Sequence, residues 1–212
     1  MNIPCKLCEK KRARRHCPGV EGEICPQCCG AERENSIACP ATCEYLIEAR
    51  FHEQPPAIPD DKIPNQDIRI GEQFLREREA LVFTLALALK RGMAGSDAVD
   101  FDAREALDGL IRRYRAMQAG LIYDTRPSNT FAAAIQENLD GAVDELRKGL
   151  AKEGGKFTVA DSDVLGVLVF LQRLELQYNN ERRRGKAFRD FLTGYLPEPA
   201  AESAAESQAA IS

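Results

Sequence analysis

From about residue 67 onward, apolar side chains recur with the 3.6-residue spacing of amphipathic helices. A first helix is predicted over about 68–92, with Phe74, Leu81, Leu85 and Leu89 inward and Gly92 and Gly95 closing it. A second starts near Asp102 and carries a stripe of Ala103, Leu107, Leu110, Ile111, Tyr114 and Met117. A third opens after "RPSN" with Asn129 as N-cap. Its inward face holds Phe131, Ile135, Leu139, Ala142, Val143, Leu146 and Leu150, and Gly154 and Gly155 stop it. A fourth follows Thr158, whose spacing to Asp161 has the form of a capping box. Its centre, "VLGVLVFLQRL", is apolar nearly all round and should be the most buried. A short fifth helix brings Phe188, Phe191, Leu192 and Tyr195. The tail, 197–212, has little to bury and is expected to be disordered.

The first fifty residues follow a different rule. Their few large apolar groups include Ile3, Leu7, Val20, Ile24, Ile37 and Leu46, too few for an ordinary core. All eight cysteines lie before residue 44, and both histidines, His16 and His52, lie before residue 53. The fold class is therefore mainly α: a small N-terminal zinc-stabilised module followed by an all-α bundle of about five helices. Four parts are expected: a cysteine-rich module at 1–50, a Pro-rich linker at 51–67 with Pro55, Pro56, Pro59 and Pro64, a helical bundle at 68–196, and the tail.

The cysteine spacing names a chemistry. Cys5/Cys8 and Cys25/Cys28 are C-x2-C pairs separated by sixteen residues, the spacing of a four-cysteine zinc site. A tight turn lets both sulfurs of a pair reach one metal, and two turns supply a thiolate tetrahedron. Cys17, Cys29, Cys39 and Cys43 remain, the right number for a second all-cysteine site, with His16 as an alternative ligand to Cys17. Neighbours in an extended chain point to opposite sides, so Cys28 and Cys29 are expected to serve different metals. Gly30, just beyond, can take a positive φ. The cofactor is thus Zn2+, two ions, both structural. A disulfide framework, an iron–sulfur cluster and scattered buried thiols are the competing readings. A reducing compartment disfavours the first, and the spacing does not match the short ferredoxin-type run.

The order of these cysteines resembles the cross-braced zinc fingers of the HIT and MYND type over residues 5–43, with spacings that are not identical. That resemblance implies a protein-interaction module. "CPQC" also resembles the zinc knuckle of treble-clef and ribbon domains, except that Cys29 stands in the usual glycine position. The whole chain is similar to uncharacterised bacterial proteins that join such a finger to a helical domain, and this similarity brings no function with it.

Charge adds one local feature. The 212-residue chain is 44% hydrophobic and 29% charged with a net charge of −4, which argues against a dedicated nucleic-acid coat. Residues 1–20 nevertheless carry six Lys/Arg against one Glu. Lys10, Lys11, Arg12, Arg14 and Arg15 form a basic loop able to grip phosphates or an acidic partner, with Glu21, Glu23, Glu32 and Glu34 as possible counter-charges. "YDTRPSN" and "NNERRRGK" would meet at one end of a simple up-down bundle. There Arg126, Asn179, Asn180, Arg182, Arg183, Arg184 and Lys186 would converge on an anion or a partner, or cap helix C-termini. No apolar run is long enough to span a bilayer, and the N-terminus has no secretory h-region, so a cytoplasmic protein is expected.

The helical part has no His, Cys or Trp, and the chain has no P-loop, G-x-G-x-x-G or H-E-x-x-H motif. A non-enzymatic interaction or regulatory adaptor is the favoured reading, with a protein partner favoured over nucleic acid. Nucleic-acid binding through the loop at 10–15 comes second, and a carboxylate-based enzyme in the bundle third.

Overall fold

A computed structural model describes residues 3–53, 57–94, 97–121, 126–152 and 158–196. Pro55, Pro56, Gly95, Gly154, Gly155, the start of "YDTRPSN" and the tail at 197–212 lie outside the described residues. The elements run β1 (Arg15–Cys17), β2 (Gly22–Ile24), α1 (Pro26–Glu32), α2 (Glu44–His52), α3 (Glu72–Glu77), α4 (Glu79–Met93), α5 (Asp100–Gln118), α6 (Thr130–Lys152), α7 (Asp161–Tyr178) and α8 (Ala187–Tyr195). The protein is mainly α, with a small cysteine-rich module preceding a helical domain.

The bundle buries the predicted stripes. Leu81, Leu85 and Leu89 of α4, Leu107, Leu110 and Tyr114 of α5, and Ile135, Leu139 and Val143 of α6 share one core. They pack with Val164, Leu165, Val167, Leu168 and Leu171 of α7, and with Phe188 and Leu192 of α8. Helix α7 is apolar on all sides because α5 covers one flank while α4 and α8 cover others.

Several details depart from expectation. The first predicted helix is two, α3 and α4, broken at Arg78, whose φ of −116° and ψ of 21° leave the helical region. The break seats the Phe74 ring against Gly166 of α7, where an added Cβ would come within 2.5 Å of the ring. It also brings Arg78 to Asp163 at 2.9 Å. Before α3, Ile68 and Ile70 are not helical, yet they pack on the core. Among the described residues the bundle thus has six helices, where about five are expected, and the module adds two.

Asn129 does cap α6, its side chain accepting from the Phe131 N–H at 3.0 Å. Thr158 does not cap α7: Ala160 occupies that position and no side chain bonds the first turn. Arg147 of α6 instead reaches the Val159 carbonyl and the Asp161 carboxylate. Met117 and Phe131, expected inward, are 44% and 40% exposed, and Tyr195 of the last helix is 75% exposed. Each sits near a helix end, where the packed neighbours run out.

The topology is not simply up-down. Asn129 meets Asp102, Gln136 meets the Ala106 carbonyl and Arg113 meets Asp140, so α5 and α6 run parallel. Arg104–Glu175 and Gln172–Asp108 make α5 and α7 antiparallel. The segment before α3 is a strap: Arg173 holds the carbonyls of Pro64, Asn65 and Ile68, while Arg115 pairs with Asp67 at 2.8 Å.

Candidate metal centre

A short antiparallel ribbon organises the module. Arg15 pairs with Ile24, His16 with Glu23 and Cys17 with Gly22. The N-terminal loop folds back on it, with the Lys6 N–H on the Glu23 carbonyl and the Cys5 N–H on the Lys11 carbonyl. Glu9 closes this first knuckle at φ 55°, a left-handed conformation usually left to glycine. Cys25 is the N-cap of α1 and Pro26 opens the helix, where its fixed φ suits the first turn.

This geometry brings Cys5, Cys8, Cys25 and Cys28 together. Their sulfurs all lie within 4.8 Å of one another, and Cys5 and Cys25 are buried. Four thiolates about a zinc at 2.3 Å stand about 3.8 Å apart, so the cluster is the size that a tetrahedral metal requires. It is the only such group among the described residues. All eight cysteines are free thiols.

The local electrostatics prepare a thiolate. Burial works against ionisation of Cys5, but N–H groups of Cys8, Cys25 and Leu7 directed at its sulfur prevail and hold its pKa down to about 6. The Cys25 N–H donates to that sulfur at 3.2 Å. The Lys10 and Lys11 N–H groups lower Cys8 in the same way. Cys28 is pushed up to about 12, first by its contact with the Cys25 sulfur and then by burial. Clustered thiols cannot all ionise unaided. A divalent cation supplies the missing charge and displaces the remaining protons.

Cys28 and Cys29 diverge for a different reason from the one expected. They lie in helix α1, not in an extended strand, and successive helical residues point about 100° apart. Cys29 is buried between β1 and α2, away from the first cluster. Gly30 is helical too, and the positive φ falls on Glu34, at 53°. Cys17, Cys29, Cys39 and Cys43 line one separate small cavity. His16 alternates with Cys17 along β1, is exposed, and meets Glu23 at 3.2 Å.

The basic residues part into two sets. Lys10, Lys11, Arg12 and Arg14 are exposed on the first knuckle and the strand entry. Arg15 is half-buried, donating to the Cys29 sulfur at 3.4 Å with its guanidinium 4.5 Å from the Tyr45 ring centre. Arg126 pairs with Glu137 at 2.5 Å. Arg182 donates to the Arg33 carbonyl at 2.6 Å, and Arg183 and Arg184 present exposed side chains.

The loop 179–186 therefore grips the module. Glu34, 1% exposed, is the centre of that grip. Its carboxylate accepts from Arg50 at 2.5 Å, from the Asn180 amide at 2.9 Å and from the Lys186 N–H at 3.1 Å. Its carbonyl accepts from the Arg184 N–H at 2.7 Å. Arg50 extends the network to Asp190 of α8. Glu34 looks from sequence like a counter-charge for the basic loop; no local signal reveals partners 146 and more residues away. The groove alongside, about 500 Å³, is lined by Arg50, Glu53, Tyr178, Arg182, Asp190 and Phe191 among others. Its carboxylates are paired: Glu53 faces Arg182, Glu181 faces Arg104 and Asp190 faces Arg50.

No family model, curated protein or solved structure matches the chain. Among the described residues, no helix is long and apolar enough to cross a membrane.

Proposed function

We propose that this protein is a non-enzymatic interaction adaptor whose N-terminal module is held in shape by structural zinc and seated on a helical bundle. The observation that carries this reading is the all-sulfur cluster of Cys5, Cys8, Cys25 and Cys28. Four protein thiolates fill a tetrahedron and leave no position for a substrate or an activated water. Such a centre stabilises a fold. What the fold then offers is surface: Ile47 and Phe51 stand one turn apart on the outer side of α2, with Phe51 86% exposed, and Leu7 is exposed beside the basic knuckle. A protein partner with an acidic, partly apolar face fits both features, and the reducing cytoplasm is the setting that keeps the thiols available.

Crosslinking and affinity capture with the full chain test this. The expected result is one defined partner whose recovery drops with Phe51→Ala or with Lys10, Lys11 and Arg12 changed to Glu, at unchanged metal content. Recovery indifferent to both surfaces would sink the proposal.

Nucleic-acid binding is the second reading, and one observation favours it. Lys10, Lys11, Arg12 and Arg14 have no ion-pair partner among the described residues, and backbone bonds on either side hold their loop. RNA or DNA affinity that falls steeply with salt, and falls further when these residues are neutralised, would select it over the adaptor.

A further inference from the structure

The four cysteines outside the first cluster come from four different elements. Cys17 ends β1, Cys29 lies in α1, Cys39 sits in the loop after Ile37, and Cys43 is the N-cap of α2. All four nevertheless line one cavity of about 10 Å³, with Ile24, Ile37, Tyr45 and Leu46 around it. A space of that size holds about one water or one ion, and a water needs two to four polar partners. Thiols and apolar groups make up most of its lining, with Arg15, His16 and Arg33 as the charged or titratable members.

One contact there is of the kind that a thiolate attracts. The Arg15 guanidinium donates to the Cys29 sulfur at 3.4 Å. It places positive charge behind a sulfur, the support that metal-bound ligands receive from their surroundings. These sulfurs are not gathered within the 4.8 Å that encloses the first cluster. Cys39 and Cys43 are half-exposed on the 38–43 loop.

That same loop lies between the contacts that seat the module. Glu34 precedes it and Arg50 follows it on α2. Arg182 meets the carbonyls of Gly30 and Arg33 at the end of α1, and Arg50 reaches Asp190. These contacts with the bundle arise from the end of α1, Glu34 and α2, the elements that the second set of cysteines would tie together. The first cluster ties the N-terminal knuckle to the start of α1.

We propose that Cys17, Cys29, Cys39 and Cys43 form a second tetrathiolate centre for a soft divalent cation, and that this centre, rather than the first, clasps the module to the helical bundle. Zinc is the cation its donor set selects. The proposal rests on the structural-zinc reading only for the metal's identity.

Metal analysis of the full chain, with cobalt(II) titration of the apo protein, decides the first half. Two zinc ions per chain and thiolate-to-cobalt absorption rising to two equivalents are expected. Saturation at one equivalent overturns the second centre while sparing the first; no binding removes both. Hydrogen exchange decides the second half, because the Arg184 and Lys186 N–H groups both donate to Glu34. With Cys39→Ser and Cys43→Ser, exchange at these two amides should rise about tenfold or more, while Cys5→Ser and Cys8→Ser leave it near wild type. Equal acceleration in the two variants overturns the clasp. If either variant misfolds, the wild-type cobalt titration still stands, and exchange at increasing cobalt loading replaces the variants. Protection of Arg184 and Lys186 that tracks the first equivalent alone also overturns the clasp.

Discussion

The module and the bundle each enclose a core, but of different material. The bundle's core is aliphatic, built from leucine, valine, isoleucine and alanine of α4 to α7 with Phe188 beside them. The module's buried cluster is Cys5, Cys17, Ile24, Cys25, Cys29 and Ile37, four sulfurs to two hydrocarbons. Apolar area removed from water stabilises at about 25 cal/mol per Å², so the bundle has a continuous source of stability and the module has little. The cluster of Cys5, Cys8, Cys25 and Cys28 could hold a metal, and in the proposed reading that centre replaces the missing core. The two regions should therefore fail under different insults.

Chelation is the sharpest way to separate them. Structural zinc contributes on the order of 10 kcal/mol or more of apparent folding energy. A strong chelator should unfold β1, β2, α1 and α2 while the helical signal from α4–α7 persists, as followed by circular dichroism and hydrogen exchange. Loss of both regions together would break the comparison. Acidification should release the metal as well, since protons compete for the same sulfurs.

The reverse insult comes next. Leu168 lies at the centre of α7 and is 1% exposed. Leu168→Ala should cost about 2–5 kcal/mol through lost contacts and a cavity, lowering the thermal midpoint of the bundle. Metal stoichiometry should not change.

Glu34 joins the two regions, so its removal tests whether they communicate. Glu34→Ala removes the buried acceptor shared by Arg50, the Asn180 amide and the Lys186 N–H, with Asp190 left to Arg50, and should cost about 3 kcal/mol. The measurable effect is faster proteolysis between module and bundle, with the metal retained. Unchanged proteolysis would show that the two regions do not depend on this seat.

The smallest effect concerns pH within the bundle. Asp100 is buried and accepts the N–H groups of Phe188 and Arg189, capping α8 from a distance. Burial, only partly offset by those bonds, pushes its pKa up to about 7. Between about pH 4 and 7 the folded state holds a proton that the unfolded chain has released. Stability therefore falls as pH rises across that window, by up to about 1.4 kcal/mol per pH unit. Glu175, raised first by its own burial, adds to the slope. Asp100→Asn should flatten part of it in denaturation midpoints taken from pH 4 to 7, at a cost of about 1 kcal/mol for the acceptor it loses.

Much of this difference can be read along the chain. The C-x2-C pairs are local, because a turn of four residues brings two sulfurs together wherever it occurs. The stripes of α5 and α6 are equally local, since helical spacing alone decides which side chains share a face. The grouping of the two pairs in one cluster crossed elements and holds in the structure, whereas other readings across elements did not. Arg78 breaks a periodic pattern because Phe74 must reach Gly166, a contact 92 residues away. Arg182 reads as an anion-binding cation or a cap on a helix C-terminus, and only the structure shows that the carbonyls it meets, those of Gly30 and Arg33, belong to the end of α1 in the module.

The sequence by itself determined the two kinds of side chain, clustered sulfur at one end and aliphatic stripes at the other. Both depend on spacing over a few residues, which a linear chain records. Tertiary structure alone decided that α5 and α6 run parallel, and that Glu34 is the buried seat of the module rather than a surface counter-charge. Those outcomes depend on which distant groups share a volume, and a buried carboxylate is tolerable only where its partners have already been brought to it.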